Sequence, residues 1–356
     1  MKSSVLMYLY HLYNDSLYLH AYVYQNIYEK MKRIIWTIIP FMMSLFSFLA
    51  CSSAQSNDDV RELKEVEASK ILRKIAKGED IILINSIIKG DLNFTDLEGF
   101  TQLSSPTQLT THIRQTLYFQ GCVFLGKVIA HDRSLQGNEK QKQYVYEKVH
   151  FGNNVLFFDC DFRDTVNFNE ATFERGIDFN QATFREKTTF NHISTLGQQN
   201  QFINLTAEKS FQMISSTFIG NLNFKGAKFF EEANFQGISV YDMQMSNLEA
   251  AQGIQLSNAS LLGNLYFNYV KCGGNSSFAF SRYMGRVDML QCVFNGDVTF
   301  ERAYFYGKVR FNRSQFDNVI QFTDSRFFLE PELKEVVVNE PISIETIESK
   351  TLKINP

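Results

Sequence analysis

From Leu83 onward, large apolar residues return along the chain at steps of five and six. In the stretch EATFERGIDFNQATFREKTTF, residues 170–190, Phe stands at 173, 179, 184 and 190. A helix face repeats at 3.6 and a strand face at 2, so neither element accounts for the spacing. The alternation is unbroken through Leu256, Leu261, Phe267, Cys272, Phe278, Tyr283, Met289, Phe294, Phe300, Phe305, Phe311, Phe316, Phe322 and Phe327. It also holds through Phe151, Phe157, Phe162, Phe168, Phe173, Phe179, Phe184 and Phe190, and again through Met213, Phe218, Phe224, Phe229, Phe235 and Val240. Weaker copies are Leu83, Ile88, Phe94 and Phe119, Phe124.

The residue two before each slot sharpens the pattern. After a step of six it is branched (Val166, Ile177, Leu222, Val298, Val309, Ile320). After a step of five it is small (Ala171, Ala182, Ala227, Ala303, Ser314, Ser325). Residues two apart on extended chain share a face, so each unit is a minimal strand pointing two side chains inward. The polar residues between units turn corners. Four units make a coil of about 22 residues, which stacks Phe162 on Phe184, Phe168 on Phe190 and Phe278 on Phe300, with coils ~4.8 Å apart. Four large side chains per coil bring on the order of 6–12 kcal/mol of gross burial. Ring stacking adds ~0.5–1.5 kcal/mol per pair, and backbone ordering offsets most of the total. The expected fold is an all-β solenoid.

Residues 58–78 read as an amphipathic helix that caps the first coil. Ser56 or Asn57 is its N-cap, Val60, Leu63, Val66, Ile71, Leu72 and Ile75 form its apolar stripe, and Gly78 stops it. The repeat is expected over 81–328, interrupted near 99–116, 130–144, 191–212 and 241–255. The second interruption, centred on HDRSLQGNEKQKQY, reads as a protruding polar loop. Residues 329–356 break the register and read as a C-terminal cap, in which ISIETIESKTLKI alternates like a strand.

Composition narrows the class. The 356 residues include 34 Phe but one Trp and five Pro, and one residue type in such excess marks a repeated slot. The net charge is -3, and from Cys51 onward 31 basic residues face 36 acidic ones. That leaves no basic footprint for nucleic acid, and it is too mild for an acidic mimic of DNA. The Phe-centred units with Ala or Ser two residues earlier resemble the pentapeptide-repeat proteins of the Phe-rich kind. The resemblance implies a right-handed quadrilateral parallel β-helix over roughly 81–328. The regular six-residue steps depart from the pure five-residue form. A 22-residue coil also suits the larger β-helix of polysaccharide lyases, but that fold has three longer, unequal sheets.

MKRIIWTIIPFMMSLFSFLAC, from Met31, has a basic start, an apolar run at 34–49 too short for a comfortable membrane span, and Ala50 before Cys51. It resembles the lipobox of bacterial lipoproteins, although Phe48 stands where that motif usually has Leu. The resemblance implies a signal peptide at 31–50, cleavage before Cys51, lipidation of Cys51, a short linker to 57 and an envelope address at the outer membrane. An ordinary cleaved signal or an uncleaved anchor is the alternative. Residues 1–30, with seven Tyr and no basic-then-apolar order, read as lying upstream of the true start at Met31.

Candidate chemistry is sparse. Cys122, Cys160 and Cys292 occupy the small slot and Cys272 a main slot, so they read as buried small residues. A Cys272–Cys292 disulfide is the alternative in an oxidising compartment. His112, His131, His150 and His192 show no metal-ligand spacing, and no nucleophile or phosphate-loop motif is present. Carboxylates such as Asp159 and Asp161 read as solvated corner residues rather than a glycosidase pair. Thr172, Thr183 and Thr189 read as exposed but form no flat array of the ice-binding kind. No catalytic, cofactor-binding or metal residue is therefore expected. The functional expectation is a non-catalytic scaffold or binding rod, tethered to the membrane by a lipid on Cys51, that presents corners and loops to a protein or glycan partner. The alternatives are a carbohydrate-active β-helix enzyme, or a cytoplasmic DNA mimic that protects topoisomerases. The expected structural ladder is Phe162, Phe168, Phe173, Phe179, Phe184, Phe190, Phe294, Phe300, Phe305, Phe311, Phe316, Phe322 and Phe327.

Overall fold

A computed structural model of the chain describes residues 63–97, 101–105, 108–136 and 143–339. Cys51, the apolar run at 34–49, residues 1–30 and the ISIETIESKTLKI segment lie outside the described residues.

The described chain is a parallel β-solenoid of about 11 turns with four sides. Taken in chain order, side 1 begins at Ile81–Ile84, side 2 at Lys64–Glu67, side 3 at Leu92–Asn93, and side 4 carries the hairpins described below. Most strands beyond Val155–Phe158 are two residues long. The register is the sequence period: Phe162 pairs with Phe184 on side 2, and Phe305 with Phe327 on side 4. All thirteen ladder Phe are buried, from 0 % exposure at Phe168 to 7 % at Phe327. Their rings stack in columns, at 4.9 Å for Phe162–Phe184, 5.3 Å for Phe168–Phe190 and 5.1 Å for Phe300–Phe322, all within 15° of parallel.

Two kinds of corner explain the alternation of five and six. The short step, into sides 2 and 4, is a type II turn. Ala171 N donates to Phe168 O at 3.1 Å with Glu170 at φ 56, and Ala182 N donates to Phe179 O at 3.1 Å with Gln181 at φ 60. Every positive-φ residue other than glycine among the described residues lies at such a corner. The next inward side chain follows the turn at once and has little room. Ser fits there because it satisfies the turn of the coil before: Ser314 Oγ donates to Met289 O at 2.6 Å and accepts from Cys292 N at 3.0 Å. The longer step, into sides 3 and 1, is a wider link that leaves space for a branched residue.

Two of the expected interruptions are ordinary coils. Residues 191–212 keep all four sides, with one extra residue at Leu196–Gln198, so Thr183 pairs with Thr206 across 23 residues. Residues 241–255 also keep four sides and lose one residue at Tyr241–Asp242, so Leu222 pairs with Met243 across 21. The Phe pattern fades there because volume moves between the two slots of a unit. A bulky residue in the small slot meets a reduced one in the main slot: Ile193 with Thr195, Leu205 with Ala207, Ile238 with Val240, Leu248 with Ala250 and Val270 with Cys272, all buried. Volume-conserving exchange of this kind keeps a core filled.

The N-terminal helix is shorter than expected, Ala68–Ala76 rather than 58–78. Lys64–Glu67 is instead a strand that pairs in parallel with Ser86–Lys89. The alternation Lys-Glu-Val-Glu serves a strand as well as a helix, and the open edge of the first coil supplies backbone partners that an isolated first turn lacks. The helix occupies the course that sides 3 and 4 would take in an incomplete first coil. It covers the end of the core with Ala68, Ile71 and Ile75, all buried. Gly78, at φ 81, ends it as expected. At the other end the solenoid continues past 328, and Val337–Val338 still pair with Gln315–Phe316.

Candidate interaction surface

The two remaining interruptions join each other. Thr101–Ser105 and Gln108–Ile113 form an antiparallel hairpin, and His131–Gln136 and Gln143–Phe151 form another. Gln108–Ile113 pairs in parallel with residues 146–151 over six positions. The result is a four-stranded flange, in spatial order His131–Gln136, Gln143–Phe151, Gln108–Ile113, Thr101–Ser105, that extends from side 4. The polar segment at 130–144, expected as a loop, is thus largely strand. The flange is anchored where its long strands enter the coil: Ile113, Val149 and Phe151 are buried, and the Phe151 ring stacks on Phe173 at 4.9 Å.

His112 and His150 meet at the root of the flange, with ring centroids 5.0 Å apart, and His150 Nε2 lies 2.9 Å from Glu174 Oε1. Burial holds the His112 pKa below its usual value, and His150 and Arg114 lower it further. His131 lies against the Tyr146 ring at 6.5 Å, while His192 turns a corner at φ 58. Among the described residues no group of three or more His, Cys, Asp or Glu could hold a metal ion.

The remaining candidates have structural surroundings. Asp161 is gripped by Arg185 through two bonds, at 2.8 and 3.2 Å, and lies 3.3 Å from Arg163. Asp159 occupies a left-handed corner position at φ 54. Cys122, Cys160, Cys272 and Cys292 are free and buried, so the alternative of a Cys272–Cys292 bond is not realised. Burial pushes the thiols of Cys272 and Cys292 up to about 12. Thr189 is buried, contrary to its reading as exposed, and donates to Asn167 Oδ1 at 3.3 Å.

A second surface escaped the sequence reading. Leu196, Ile219, Tyr241, Leu262, Met284, Tyr306 and Phe328 each directly follow a main slot of side 4, and each is 39 to 61 % exposed. They stack at the corner between sides 4 and 1, one per coil, over ~29 Å. Tyr306 and Phe328 lie ring on ring at 4.5 Å. The signal of this surface in the sequence is a second repeat, offset by one residue from the inward slots.

No family model, curated protein or solved structure matches the chain. The Phe-lined, four-sided parallel solenoid with turns of about 22 residues is consistent with a pentapeptide repeat.

Proposed function

We propose that this chain is a non-catalytic repeat scaffold, held at the bacterial envelope by a lipid on Cys51, whose flange engages a protein partner. The observation that supports the reading is the pairing of the two hairpins. Two insertions that served only as tolerated loops would have no reason to share four register positions beyond the two of the ordinary side-4 ladder. Together they form a four-stranded platform on an otherwise repetitive surface, and insertions on a regular scaffold are where specificity resides. The outer strands Thr101–Ser105 and His131–Gln136 suit recognition by strand addition, in which main-chain hydrogen bonds give affinity.

Two measurements test the reading. The intact mass and detergent partitioning of the chain made in a bacterial host are compared with those of Cys51→Ala. A lipid-sized gain on a chain starting at Cys51, lost in the variant, supports the anchor; a soluble, unprocessed chain refutes it. For the flange, a photo-crosslinking amino acid replaces Asp132 or, as a control, the corner residue Asp297. Protein adducts in the envelope at 132 and not at 297 are expected. Adducts at neither position, or equally at both, would overturn the assignment.

A further inference from the structure

The apolar corner is not a demand of the fold. The corner between sides 2 and 3 has the same six-residue step, and there charged or polar residues (Lys89, Arg163, Arg185, Glu208, Asn295 and Asp317) interrupt the exposed apolar ones, Leu125 and Phe230, so no continuous apolar column forms. There Arg185 bridges Asp161 and Glu208 across coils, at 2.8 and 3.0 Å. Isolated exposed apolar residues are ordinary on a protein surface, but a contiguous patch marks a contact.

We propose that this stripe pairs with the same stripe of a second copy, giving a side-by-side homodimer with the two solenoids parallel. The shape of the surface favours this occupant. Next to the ridge of large side chains runs a column of glycines, Gly197, Gly220, Gly263, Gly285 and Gly307, at five of its seven levels. They are small for an internal reason: a Cβ on Gly285 or Gly307 would overlap the backbone of the glycine one coil earlier. They leave the column beside the ridge without side chains at these levels, a furrow into which a second ridge could seat. Two copies seat ridge in furrow only about a two-fold axis along the solenoid, which keeps the copies parallel and brings like residues together at the same height.

The flanks fit that arrangement. The column before the ridge (Ser194, Thr217, Ser239, Ser260) would face the column after the furrow (Gln198, Asn221, Asn264), and these are uncharged hydrogen-bonding residues. Near the C-terminal end Arg326 would face Glu330. Two like-charge meetings arise: Arg282 with Arg286, moderated by Asp288, which holds Arg286 at 3.0 Å, and Asp242 with its own copy beside Tyr241, where Asp242 accepts from Asn264 N. Each ridge residue is about half exposed, and a large side chain carries roughly 150–200 Å². The stripe therefore offers on the order of 600 Å² per copy. Two copies would cover about 1,200 Å² before the flanks are counted, which reaches the range of stable, specific interfaces. A charged partner would find little to pair with along the first four coils of the stripe.

The test is disulfide crosslinking of the full chain in whole extract of the expressing host. Leu196→Cys, Leu262→Cys and Met284→Cys are each treated with a mild oxidant, in a Cys51→Ser background. Lys209→Cys, an exposed residue on the polar corner, is the control. The expected result is a species of twice the mass of the uncrosslinked chain at all three stripe positions and not at 209. Adding Leu262→Asp to Met284→Cys should remove at least nine-tenths of that species and leave the melting temperature unchanged. Crosslinking at Leu262→Cys alone would mean antiparallel pairing and overturn the proposed geometry. No crosslinking at any stripe position, or equal crosslinking at 209, would overturn the dimer. If Leu262→Asp instead lowers co-flotation of a non-crosslinking chain with zwitterionic vesicles, the stripe contacts lipid and the proposal fails.

Discussion

Replacing Phe305 with Asp is the most direct test of the ladder. Its ring is wholly buried between Tyr283 at 5.1 Å and 7° and Phe327 at 4.6 Å and 10°, with Phe300 at 5.9 Å on a neighbouring side. Removing such a ring costs about 3–5 kcal/mol through lost transfer energy and the cavity left behind. The carboxyl adds a few kcal/mol more, because a buried group without partners must sit protonated or carry an unpaired charge. The sum is on the order of 6 kcal/mol, above what most single substitutions do. In a solenoid each coil contacts only its neighbours, so the damage stays local at first. We expect urea unfolding followed by circular dichroism to split into two transitions, the earlier one reporting coils beyond Tyr283, with early proteolysis confined to that end. Phe328→Asp is the matched control: it lies outside the core at 56 % exposure and should cost less than about 1 kcal/mol. A single transition for Phe305→Asp, within about 1 kcal/mol of the parent protein, would refute the inward assignment and the column energetics with it.

Three further outcomes are expected. Deleting residues 132–143 should leave a cooperatively melting solenoid, because Val149 and Phe151 still enter the core; a broad, non-cooperative melt would show that the hairpin is part of the folding unit. His112 has a lowered pKa when folded, so the unfolded chain binds its proton first. Its contribution to stability is therefore complete above about pH 6.5 and is lost as the pH falls through the lower folded value. Melting temperatures of the parent and His112→Gln should then diverge below pH 6.5, with the parent falling faster, and a constant offset would contradict the assignment. Gly307→Ala forces a Cβ onto the Gly285 backbone and should destabilise by about 1–3 kcal/mol, read as a lower urea midpoint at unchanged slope; an unaltered midpoint would show that the corner can yield.

What the sequence made legible was the part of the structure that repeats. Phe in the main slot with Ala, Ser or Cys two before it implied the inward face, the 22-residue coil and the stacked columns. The reading faltered where another arrangement filled the same space. At Leu205 and Ala207, or Leu248 and Ala250, volume has crossed from one slot to its neighbour, so the Phe pattern shows a gap where the coil is intact. The apolar spacing of Lys64–Glu67 suits a helix and a strand alike, and only the open edge at Ser86–Lys89 decides between them. The flange was hidden for a different reason. The pairing of residues 108–113 with 146–151 joins two segments across some forty residues of chain, and neither segment alone signals the other. The stripe at Leu196–Phe328 was periodic and visible, but its period was that of the core and drew no separate notice.

The two changes of coil length have a consequence for phase. The residue gained at Leu196–Gln198 and the one lost at Tyr241–Asp242 both fall at the corner between sides 4 and 1, and they cancel. Everything after Met243 is back in step with residues 151–195, so over these coils residue number again reports height along the axis. The chain thus behaves as a graduated scale with one ~4.8 Å division per 22 residues. Features on different coils, such as the flange and the far end of the apolar corner, are held apart by a whole number of divisions. A deletion of one complete coil would shorten that interval by one division and leave every remaining side chain on its own side of the solenoid.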